Sequence, residues 1–163
     1  MATITFKNGD AYMAKIAKLS QKASEEVCGR AIYEGAAVMI ERTKAAVDTL
    51  PESRGERGTV EKPLAGPSKL QKKALRESVG IAKAKQDGDF VNVKIGFDGY
   101  NSMKTKRWPQ GQPNQLIARA VERGTSFMRA TPFMKKAVSS AKKDVLAAMG
   151  AAMDEKIEEI MRR

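Results

Sequence analysis

The residues best equipped for a chemical task stand close together near the middle of the chain. Lys104, Lys106 and Arg107 directly precede Trp108, the only tryptophan. Such cations can neutralise phosphates, and an aromatic face among them can stack on a base. The same residues also fit a plainer arrangement, with Trp108 tucked onto the core and the cations in water. Asp87 and Asp89 form the one close pair of carboxylates at a turn, where Asp commonly bonds its own backbone. Cys28 is the single cysteine and lies in a run of small residues, so it reads as a small buried hydrophobe.

The rest of the composition argues against catalysis. The chain has 163 residues and no histidine, which removes the commonest general base and metal ligand. There is no phosphate-binding Gly-x-x-x-x-Gly-Lys-Ser/Thr loop and no convergent carboxylate set for a metal-dependent nuclease. The expectation is a protein that is not an enzyme and needs no cofactor and no metal. Thirty Lys+Arg against nineteen Asp+Glu leave a net charge of +11. A field of that size suggests an acidic partner (nucleic acid, an acidic protein surface or anionic lipid), and a generic solvated basic surface accounts for it equally well. Lysines occur in every segment, so along the sequence the excess is diffuse. The first residues carry no charged-then-apolar signal pattern, and no stretch approaches the ~18 apolar residues of a membrane span, so the expected site of synthesis and folding is the cytoplasm.

The elements that must position these residues follow from periodicity. Thr3–Phe6 alternates as a short strand, Asn8-Gly9 turns, and Asp10 precedes a helical run from Ala11 to about Leu50. Along it Ile16, Leu19, Ala23, Val27, Ala31, Gly35, Val38 and Met39 make one apolar stripe, small in its middle and allowing a bend at Gly29 or Gly35. Pro51 ends the helix. Residues 51–68 hold no apolar period and read as a mobile loop. Ser68–Ser78 reads as a short basic helix. Val79–Ala84 and Phe90–Phe97 alternate as two strands around an Asp-Gly turn, an antiparallel hairpin. Residues 98–114 are again irregular and expected to be mobile. After Leu116–Thr125, Thr131 caps and Pro132 opens a second long amphipathic helix with Phe133, Ala137, Val138, Ala141, Val145 and Ala152 on its stripe. The nine methionines, five of them in the last third, read as core filling or as an adaptable interface. The expected fold is a single α+β domain over residues 1–163. Two long amphipathic helices pack on a small antiparallel sheet, with long irregular loops.

One segment carries a family resemblance. Val121-Glu122-Arg123-Gly124-Thr125, a short gap, then Thr131-Pro132-Phe133-Met134 resembles the signature of the tail-completion or head–tail joining (neck) proteins of tailed bacteriophages. That family is named for the tenth gene product of a lambdoid phage. Its members carry Val-Glu-(aromatic)-Gly-Thr and then Pro-Phe-(Leu/Met) opening the last helix; here Arg123 stands at the aromatic position. The order of elements is similar over the whole chain, the motif over about fifteen to twenty residues. In this reading Gly124 supplies the backbone angle of a strand exit, Thr131 caps, and Phe133 anchors the last helix on the sheet.

The resemblance implies a structural virion protein made in the host cytoplasm. It would assemble as a ring of its own copies between the head connector and the tail tube. The alternatives are a basic DNA-binding accessory protein and a minor tail or tail-terminator protein. In a ring, Lys104, Lys106, Arg107 and Trp108 would face DNA in the lumen or dock on a neighbouring ring. Membrane is not an expected partner.

Overall fold

In the computed structural model, residues 21–54, 57–87 and 90–162 are described. The strand expected at Thr3–Phe6, the turn after it and the first turns of the expected helix lie outside them. The first described helix, α1, runs uninterrupted from Gln21 to Asp48, so neither glycine breaks it. The last, α4, spans Phe133–Met161.

These two helices pack antiparallel along most of their length, the most extensive contact in the molecule. Val27 and Ala31 meet Met153 and Ile157 at one end. Met39 meets Ala137, Ala141 and Val145 in the middle. Val47 and Leu50 join Phe133 at the other end. The seam is narrow where the residues are small: a Cβ on Gly35 would lie 2.6 Å from Cγ of Met149. Thr43, fully buried in the seam, donates its hydroxyl to the Met39 carbonyl at 2.8 Å, so it leaves no donor unpaired.

The helix α2, Lys69–Ser78, starts with a complete capping box. Ser68 Oγ accepts from the Gln71 N–H, and Gln71 Oε1 accepts from the Ser68 N–H. The chain passes straight from α2 into a β-ribbon. Strand β1, Val79–Ile81, pairs antiparallel with β4, Ile95–Phe97. Strand β2, Lys85–Asp87, pairs antiparallel with β3, Phe90–Asn92.

The hairpin expected from the alternation is therefore present, but its ladder slips by one residue partway along. Val79 faces Phe97 below the slip, whereas Lys85 faces Asn92 above it. Residues 82–84 oppose only 93–94, which is a β-bulge. The bulge frees the Ala84 N–H, and the Tyr33 hydroxyl of α1 accepts it at 3.1 Å. The ribbon is thus fixed to the long helix at the point where its own pairing fails. Helix α3, Asn114–Arg123, then leads into α4. The α+β arrangement of two long helices and a small antiparallel ribbon matches the expected class.

Candidate functional site

The motif builds the joint between α3 and α4. Ile117, Ala118 and Val121 recur at helical spacing and are buried, with Val121 fully enclosed. Gly124 is the exit of a helix, whereas the sequence suggested a strand exit. Its φ of +74° lies in the region that L side chains rarely adopt, and a Cβ there would sit 2.9 Å from the Ala130 nitrogen. Glycine is required on both counts. The Gly124 N–H closes α3 by donating to the Ala120 carbonyl at 2.8 Å.

Thr125 then starts a tight turn. Its backbone exchanges hydrogen bonds with Met128 at 2.9 and 3.3 Å, and its Oγ1 accepts from the Phe127 N–H. The chain returns so that the Thr131 N–H donates to the Val121 carbonyl at 2.7 Å.

Thr131 does not cap α4. Pro132, exposed, occupies the position before the first helical residue, and no side chain there makes a cap. The cap comes from Glu122 instead. Its Oε2 accepts from the Met134 N–H at 2.8 Å and its Oε1 from the Lys135 N–H at 3.1 Å. A carboxylate at this point meets both free N–H groups and the positive end of the helix dipole. Phe133 is 2% exposed and meets Phe97 of β4 edge to face, with centroids 5.9 Å apart. It closes a cluster with Val47, Leu50, Leu75, Ile117, Ala118 and Val121. In this way Val121, Glu122, Gly124 and Phe133 weld α1, α2, α3, α4 and the ribbon at one end of the molecule.

The two irregular segments both attach to this end. In residues 51–68, Ser53 binds the Pro67 carbonyl through its N–H and the Gly66 carbonyl through its hydroxyl. Leu64 bridges the motif turn: its N–H donates to the Phe127 carbonyl at 2.8 Å, and its carbonyl accepts from Arg129 at 2.9 Å. The sequence suggested a mobile loop because no apolar period runs through it; in the structure Ser53, Thr59 and Leu64 hydrogen-bond within the segment and to the motif turn.

In residues 98–114 the bonds gather at the base. Asn101 and Asn114 are buried there. Asn101 Oδ1 accepts from Met103 and Gln112, and Asn114 Nδ2 donates to the Asp98 carbonyl. At the tip, Thr105 and Trp108 exchange backbone hydrogen bonds, each at 3.0 Å, in a tight turn.

That turn carries the cations singled out from the sequence. Lys104, Lys106 and Arg107 are exposed. No ion pair joins any of them to another described residue. The Arg107 guanidinium lies 5.6 Å from the Trp108 ring centroid, and Trp108 is itself partly buried. The indole is therefore engaged, and stacking on a base is the weaker of the two arrangements raised by the sequence.

Folding also gathers the charge that looked diffuse along the chain. Residues 51–78 and 98–136 hold 15 basic and 6 acidic residues, +9 of the total +11. Both segments surround the Phe133 cluster. The opposite end of the helix pair bears a groove lined by Glu26, Arg30, Ala152, Glu155, Lys156 and Glu159, where the signs are mixed. Cys28, read from the sequence as buried, is half-buried, and this partial burial raises the pKa of its thiol and disfavours the thiolate. Among the described residues, no cluster of His, Cys, Asp or Glu suits a metal ion, and no helix is long and apolar enough to cross a membrane. No family model, no curated protein and no solved structure matches the chain.

Proposed function

We propose that this chain is a ring-forming structural component of a tailed-phage neck or tail, a tail-completion protein linking the head connector to the tail tube. The observation that carries the reading is the joint from Val121 to Phe133. Four of the residues shared with the neck-protein signature have a fold-building task there: Val121 and Phe133 fill the cluster, Glu122 caps α4, and Gly124 makes the turn. A signature of this kind marks a scaffold that presents surfaces to neighbours. Its partners would be further copies of itself, the connector and tail-tube proteins, and non-specific duplex DNA in the lumen.

The ring is expected to close on its partner, with the free subunit monomeric or weakly associated, because the chain has polar, charged loops and no long apolar stretch left over for a permanent interface. Sedimentation at micromolar concentration, alone and with the connector ring, tests this. The expected result is a subunit mass alone and a closed, stoichiometric addition to the connector. A tight dimer at every dilution, or no addition, contradicts it.

A basic DNA-binding accessory protein is the second reading. What favours it is the set of exposed cations at 104, 106 and 107 with no acidic partner among the described residues. Stoichiometric DNA binding without any association with the connector would favour it over the ring.

A further inference from the structure

We propose that α2 and the 98–114 loop form one continuous surface for the sugar-phosphate backbone of duplex nucleic acid, held in register by the bond between Gln71 and Gln112. The inference rests on the ring reading with duplex DNA in the lumen, and it names what would touch that DNA.

Two contacts join the elements. Gln71 Nε2 donates to Gln112 Oε1 at 2.8 Å, while Gln71 Oε1 completes the α2 capping box. One turn earlier, the Ser68 hydroxyl lies 3.3 Å from the Met103 sulfur. The start of α2 is thereby set against the arm of the loop that leads to Lys104.

The charges available on the two elements complement each other. On α2, Lys72 pairs with Glu52 at 3.0 Å, Arg76 with Asp48 at 2.9 Å, and Lys73 with Glu77 at 3.8 Å. Lys69, exposed and next to the Ser68 contact, has no acidic partner among the described residues. Its neighbour Ser68 contacts Met103, the residue before Lys104, so the proposed surface runs from Lys69 to Lys104, Lys106 and Arg107.

The chemistry of these cations selects a backbone rather than bases. Arg107 covers the Trp108 ring, which weakens base stacking as a source of affinity. Exposed Lys and Arg on a fixed turn make phosphate contacts that carry no sequence information. A duplex can therefore slide past, as a conduit requires.

The test uses the full-length protein and a short fluorescein-labelled duplex of mixed sequence, read by anisotropy across a salt series, with the matching single strand alongside. Four phosphate contacts give a log–log salt slope of about −3.6. Lys104→Ala/Lys106→Ala/Arg107→Ala should remove about 2.7 of that magnitude, and Lys69→Ala about 0.9. Gln112→Ala leaves every charge and the capping box in place. It should weaken binding several-fold, with an unchanged circular dichroism spectrum.

An unchanged slope in Lys69→Ala would show that the loop acts alone and would overturn the two-element surface. Wild-type affinity in Gln112→Ala would overturn the registering role. No duplex binding even at low salt would reassign the cations to an acidic protein partner. A preference for the single strand accompanied by tryptophan quenching would restore base stacking. None of these outcomes touches the ring reading, because addition to the connector is measured without nucleic acid.

Discussion

Residues 51–68 and 98–114 are alike in composition, both rich in proline, glycine and charge, and the fold treats them differently. The first spends its backbone hydrogen bonds on the motif turn: Leu64 pairs with Phe127 and Arg129, and Ser53 closes the loop on Gly66 and Pro67. The second spends them at its base, around Asn101 and Asn114, and leaves a tight turn standing out with Lys104, Lys106 and Arg107 on it. Composition reports that a segment lacks a core-facing period. Where its N–H and C=O groups go decides whether it is part of the scaffold or an arm carried by it.

The largest expected effect comes from removing what both loops lean on. Phe133→Ala should cost about 3–5 kcal/mol of unfolding free energy in a urea titration. It empties the cluster under α3 and frees Phe97, so both loops should become more protease-sensitive. A loss under 1 kcal/mol would mean that the cluster is not what fixes the joint.

Gly124→Ala follows, at about 1–3 kcal/mol, since the positive φ and the Ala130 backbone both oppose a Cβ. Its effect should fall on the turn that holds Leu64 and so should loosen residues 51–68 more than 98–114. Hydrogen exchange at the Leu64 and Arg129 amides would report it. Glu122→Ala should cost about 0.5–2 kcal/mol as a lost helix cap, and Glu122→Gln less. Equal losses for the two would show that the carboxylate charge at the α4 terminus matters more than its acceptor geometry.

The smallest perturbation is a brief trypsin digestion of the unmodified protein. Cleavage should begin at Lys104, Lys106 or Arg107, with Arg54 and Arg57 cut later although they too are exposed. First cleavage at Arg54 or Arg57 would erase the contrast between the loops.

Much of the fold was legible because its signals are local. The alternation Phe90–Phe97, the Ser68 start of α2 and the four-residue steps of Val27, Ala31 and Gly35 follow the pleat and the helix turn. What escaped depends on distant partners. The bulge at 82–84 is stabilised by Tyr33, some fifty positions away in sequence. The cap of α4 is twelve residues upstream, at Glu122, because α3 ends facing the start of α4; a local rule naturally chose Thr131. The helical spacing of Ile117, Ala118 and Val121 was present in the sequence, but the resemblance of the motif drew the exit at Gly124 as that of a strand.

For the site, the cations at 104–107 were visible as a cluster. The contact of their loop with the start of α2 was not, since it needs the Gln71–Gln112 bond. The charge looked diffuse because sequence order interleaves the two basic segments with the nearly neutral ribbon and the long helices.

The central claim is a position in a particle, and the most direct measurement is where the protein sits. Immunogold labelling of tailed particles from a lysate of cells that make this chain should place gold at the junction of head and tail. Particles from cells lacking the chain should remain as separate heads and tails. Gold spread over released DNA, with heads and tails joined normally in its absence, would contradict the account.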